Sequence, residues 1–133
     1  METPWGQPDM ITELGDGIKW VSTPSHGGCY MPPEKNKNIP DPLRHENGFY
    51  EEDCAWSKAA FFYPEYFRES YDQNYNKIIS TPEEVKERAR KLIVDFFPFE
   101  WEEYTGSPIL AGESRLKEEW IKKRVKAGEI KGW

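Results

Sequence analysis

The sequence predicts an α+β domain: a small antiparallel sheet at the N-terminus, packed against a buried central helix and two C-terminal amphipathic helices. Three observations carry this. Ile18-Lys19-Trp20-Val21-Ser22 alternates with period two directly after the turn residues Gly15-Asp16-Gly17. The stretch FYEEDCAWSKAAFFYPEYF, residues 49–67, contains a helix-like run from Cys54 to Tyr63 that is apolar around most of a helical wheel. Thr81-Pro82-Glu83-Glu84 reads as a capping box opening an apolar run at helical spacing.

Taken in order, residues 1–8 form an irregular arm broken by Pro4, Gly6 and Pro8, with Trp5 available to anchor it. Met10 to Leu14 pairs with Ile18 to Ser22 as a hairpin. Thr23 to Gly28 reads as a loop whose glycine pair allows unusual backbone shapes and close approach of a partner. Cys29-Tyr30-Met31 resumes a strand that Pro32-Pro33 ends, and residues 34–48 form a polar connection with one helical turn.

The central helix is expected to run from Cys54 to Tyr63, where Pro64 stops it. Cys54, Ser57 and Phe61 share one face, beside Trp56, Ala60 and Tyr63, and only Lys58 is charged after the first turn. Asp53 stands where an N-cap would, and the carboxylates before the helix suit its dipole. Residues 68–80 are polar, with Tyr71 and Tyr75 interleaved. Val85, Ala89, Leu92, Ile93 and Phe96 then predict a helix over 82–97, and residues 99–104 add a further turn or two. Ser114 caps a last helix over 115–127, carrying Leu116, Trp120, Ile121 and Val125 on one side and stopped by Gly128.

The length of 133 residues fits one domain, 1–133, with 113–133 as a basic C-terminal helix. Apolar residues make up 37% but aromatics reach 15%, so the core is expected to rest on few, large side chains. The net charge is −6, the pI is near 5.0 and the mean hydropathy is −0.88. Seven basic residues against four glutamates make residues 113–133 net +3, so the first 112 residues carry −9. An acidic body disfavours nucleic acid, although Lys122, Lys123, Arg124 and Lys126 could offer a contact. That body is also milder than a DNA mimic requires. The N-terminus has no apolar signal region, and no run approaches a membrane span. Cys29 and Cys54 are then expected as reduced thiols in a cytoplasmic protein.

Two neighbourhoods hold chemistry-bearing residues. Ser25-His26-Gly27-Gly28 offers an imidazole as base, ligand or phosphate contact, against a plain tight turn. Glu51-Glu52-Asp53 with His26 or His45 would suit a divalent cation. No His-x-x-His, Cys-x-x-Cys or His-Glu-x-x-His spacing occurs, and no metal set is assigned. Cys54 is a second catalytic candidate beside His26, with a helix end lowering its pKa and three carboxylates raising it. A structural thiol is the simpler reading. Trp5, Trp20, Tyr30, Trp56, Tyr63 and Tyr66 divide between core and ligand pocket, with core favoured.

The strings TPWG (Thr3–Gly6), GIKWVSTPSHGG (Gly17–Gly28), FYEEDCAW (Phe49–Trp56), FYPEYF (Phe62–Phe67) and PILAGES (Pro108–Ser114) together resemble a domain-of-unknown-function family of phage and plasmid-borne bacterial proteins. The likeness spans Thr3 to Ser114 and leaves the basic helix outside. Such proteins are expected to carry an acidic residue where this chain has Ala55. The resemblance implies a mobile-element origin and a host-cytoplasm setting, and supplies no catalytic residues or cofactor.

Two functions follow as expectations. The first is a non-enzymatic module that binds a host protein or small molecule, using Ser25, His26, Gly27, Gly28, Glu51, Glu52 and Asp53, with self-association left open. The second is a small hydrolase or nucleotide-processing enzyme, with His26 as base and the acidic cluster holding water or metal. It requires the imidazole to come within reach of one of those carboxylates.

Overall fold

The computed structural model describes residues 1–128. Strand β1 (Met10–Gly15) turns through Asp16 and Gly17, both with positive φ, into β2 (Ile18–Ser22). Two consecutive left-handed residues match the twist of a tight hairpin. Strand β3 (Gly27–Tyr30) pairs with β2, and β4 (Phe49–Glu51) pairs with β3, giving an antiparallel sheet of order β1-β2-β3-β4. Between β3 and β4 lies the single turn α1 (Pro33–Asn36). Helix α2 (Trp56–Phe62) crosses the sheet, followed by a 3-10 turn over Pro64–Tyr66. A separate hairpin pairs β5 (Glu69–Tyr71) with β6 (Lys77–Ile79). The helices α3 (Pro82–Phe96), α4 (Pro98–Thr105) and α5 (Arg115–Lys126) complete the chain.

The α+β class is therefore as expected, and the core lies where the sheet meets α2. Ile18, Cys29 and Tyr50 are buried on one face of the sheet, against Met31, Ile39, Leu43 and Ala59. Helix α2 packs closely on α3 through Ala60, Val85 and Ala89. Small side chains at that crossing let the helices approach. Thr81 and Glu84 form the predicted capping box, and Ser114 caps α5 by accepting from the Lys117 amide.

Two expectations are corrected. Helix α2 begins at Trp56, not Cys54, and Asp53 does not cap it; Ala55 holds that position and bonds through no side chain. The Glu52 amide donates to the Gly27 carbonyl at 2.9 Å, so the β ladder runs on past Glu51 and the chain must turn over 52–55 before a helix can start. The carboxylates thus belong to strand and turn, and none sits in the first turn of α2. Gly27 and Gly28 lie buried in β3 with no positive φ. A Cβ on Gly28 would stand 2.1 Å from the Tyr50 carbonyl oxygen and 2.8 Å from the Trp5 ring. What comes close is the chain's own strand and arm. Residues 68–80, read from the sequence only as polar, contain a hairpin. The Asp72 carboxylate accepts from the amides of Asn74 and Asn76 and so builds its turn.

Among the described residues, no helix is long and apolar enough to cross a membrane.

Candidate functional site

The outer face of the sheet carries most of the sequence-predicted residues. Gly28 pairs with Glu51 across β3 and β4. His26 lies two residues before Gly28 and therefore on the same face as Glu51. Gly28 has no side chain to stand between them, and His26 Nδ1 reaches 3.7 Å from Glu51 Oε1. Thr23 sets the imidazole's base: its hydroxyl donates to the His26 carbonyl at 2.7 Å and accepts from the His26 amide at 3.1 Å. The His26 side chain is 53% exposed. Ser25 lies beside it, its hydroxyl 3.5 Å from the Trp5 carbonyl. Glu52 Oε2 borders Gly27, while Asp53 is exposed on the turn that follows.

Cys54 is half-buried on that turn. Burial, then the negative charges of Asp53 and Glu51, push its thiol above the ordinary range. That environment opposes a thiolate nucleophile. Cys29 is buried in the core, where desolvation pushes its thiol far up, and both cysteines are free. Among the described residues, no three His, Cys, Asp or Glu side chains gather as a metal set.

His45 does not join the acidic cluster. Its Nδ1 stands 2.9 Å from the Phe49 carbonyl, which can only accept, so Nδ1 carries the proton. Nε2 is then left to accept from the Lys58 amine at 3.1 Å. Lys58 is 5% exposed and also sits over the Phe97 ring, 3.9 Å from its centre. Burial lowers the pKa of both groups. Tyr50 closes this network: its hydroxyl donates to Asn36 Oδ1 at 2.6 Å and accepts from the His45 amide at 3.0 Å.

A broad concavity lies on the opposite face of the sheet. It is an open groove of about 970 Å³ between β1 and the β5–β6 hairpin. Its floor is aromatic, built from Trp20, Trp56, Tyr66 and Phe67. Met10 and Leu14 form one wall; Tyr71 and Ile79 form the other. Tyr66 is held in place by its hydroxyl, which donates to the Asp16 carboxylate at the β1–β2 turn. Arg68 and Arg88 lie at the α3 side. Of the aromatics weighed from the sequence, Trp20, Trp56 and Tyr66 thus border open space. Trp5 instead packs edge-on to Phe49, 5.8 Å between centres, on the other side. Phe67, Arg68 and Arg88 carry no local sequence signal, because their proximity arises only from the packing of separate elements.

The family model described as a domain of unknown function, DUF7007, matches residues 1–127. The chain belongs to the DUF7007 family. The match runs through α5, so the basic helix that the sequence resemblance left outside is part of the DUF7007 domain. His26, Glu51 and every residue of the groove also fall within it. No curated protein and no solved structure matches the chain.

Proposed function

We propose that this DUF7007 protein is a non-enzymatic binding module of a phage or other mobile element, acting in the host cytoplasm on a host protein or small molecule. The observation that carries this reading is the groove. Three large apolar side chains stand open along its walls: Met10 at 63%, Tyr71 at 63% and Ile79 at 54% exposure. Exposed apolar surface over an aromatic floor favours occupancy by a ligand. The raised thiol of Cys54 supports the same reading, since it disfavours the thiolate that a cysteine nucleophile needs.

Native mass spectrometry of protein purified gently from a host-like lysate tests it. Wild type is expected to carry an extra mass that Tyr71→Ala and Ile79→Ser lose. Turnover of a substrate that His26→Ala abolishes with the fold intact would overturn it.

The hydrolase reading is favoured by one observation, the 3.7 Å approach of His26 to Glu51. It predicts activity that falls by about a hundredfold or more in both His26→Ala and Glu51→Gln.

A further inference from the structure

Arg68, leading into β5, and Arg88, on α3, converge on one residue. Arg68 Nε donates to the Ser80 carbonyl at 2.7 Å, and Arg88 Nη2 donates to the Ser80 hydroxyl at 2.5 Å. Ser80 is buried and neutral, so it brings two cations together without compensating either. Among the described residues, no carboxylate oxygen lies within 4.0 Å of either guanidinium. Glu84, one turn before Arg88, feels its charge but is committed to the Thr81 amide at 2.9 Å. Each guanidinium keeps a fork of N–H donors beyond the one bonded to Ser80, a geometry suited to the oxygens of a carboxylate or phosphate.

Both arginines line the groove. Beside them, Trp56 and Phe67 stand 6.2 Å apart between centres and pack against the α3 residues Val85 and Ala89. Positive charge and aromatic surface therefore meet at one end of a space whose volume, about 970 Å³, falls in the range for a small molecule. The same groove carries Glu13 and Glu65, which repel an extended polyanion, and Glu69, which is paired with Lys77 at 3.0 Å. This selects against a nucleic-acid strand and for a ligand with one anionic end.

Resting on the groove as the binding site, we infer that it takes a small aromatic anion, its carboxylate or phosphate held between Arg68 and Arg88 and its ring laid against Trp56 and Phe67. The test is titration of the purified full chain, followed by tryptophan fluorescence, with phenyl phosphate, benzoate, adenosine monophosphate, inorganic phosphate and benzyl alcohol. Probes carrying both ring and anion should bind at least about tenfold more tightly than inorganic phosphate or benzyl alcohol. Arg68→Gln and Arg88→Gln should each weaken them by about tenfold with the melting curve retained, while Lys123→Gln on α5 changes nothing. Phenyl phosphate against benzoate distinguishes the two anions. Binding that ignores both arginine variants, inorganic phosphate binding as well as the aromatic probes, or no binding by any probe would overturn the inference. If those probes fail while Tyr71→Ala still strips a mass from the native protein, only the ligand class is wrong. If both fail, the binding reading falls too.

Discussion

His45 shows how one residue can read as a ligand in sequence and as a structural group in the fold. Burial, and after it the nearby Lys58 charge, hold its imidazole below the ordinary 6.5, against a raising contribution from the Phe49 carbonyl. The unfolded chain therefore takes up this proton first. Stability from His45 is complete above pH 6.5 and is lost as pH falls from there through the lowered folded value, below which the loss is constant. Urea unfolding should give a lower midpoint at about pH 5 than at about pH 8, and His45→Gln should flatten that part of the profile. An unchanged profile in the variant would assign the pH dependence elsewhere. Gly28 carries a second residue-scale prediction. Any Cβ there meets the backbone of β4 at 2.1 Å, and backbone cannot swing aside as a side chain can. Gly28→Ala should cost about 3 kcal/mol, measured by denaturant unfolding.

Elements differ in how much of their cause is local. Helix α3 is specified by its own residues: Thr81 accepts from the Glu84 amide at 3.1 Å, Glu84 accepts from the Thr81 amide, and Pro82 stands at the first helical position. Thr81→Ala should cost about 1 kcal/mol without altering the fold, readable as a shifted unfolding midpoint with an unchanged slope. Helix α2 is different. Its seven residues are too few to be stable alone, and it exists because Ser57, Lys58, Ala59 and Ala60 are buried between sheet and α3. The carboxylates before it looked like a helix start because strand β4 is only three residues long, too short for alternation to declare itself. The β5–β6 strands are equally short, and their only local signal was Asp72 followed by Asn74 and Asn76. At the other end, α5 is anchored by Lys117, whose amine bonds Glu102 Oε2 and the Ile109 carbonyl, each at 2.6 Å. Trp120, 40% exposed, also packs edge-on to Phe99 of α4, 5.6 Å between ring centres.

Across the whole molecule, the sheet separates two candidate regions. His26 and Glu51 occupy the face away from α2, while Trp20 and Leu14 turn toward the groove on the other. Substitutions on the two faces should therefore act independently. His26→Ala combined with Arg88→Gln should shift unfolding free energy by the sum of the single effects within about 0.5 kcal/mol, and His26→Ala should leave the fluorescence titration unmoved. A large coupling would mean that the sheet transmits between its faces.

The core expected to rest on large aromatic side chains is instead mostly aliphatic, with Tyr50 the aromatic buried in it and the other rings packed half-buried around it. By itself the sequence determined the α+β class, the Gly-Asp-Gly hairpin, and the caps of α3 and α5. These follow from turn chemistry, capping and periodicity, which act over a few residues. It also placed His26 and Glu51 among the candidates, although not their 3.7 Å approach. Only the tertiary structure decided that Gly27 and Gly28 are packed strand rather than open loop, that His45 faces Lys58, and that Arg68 and Arg88 meet over Ser80. Each of these depends on which strand pairs with which and on how α2 seats α3. Contacts between residues far apart in the chain arise from burial and pairing of whole elements, and they leave no period to read in the chain.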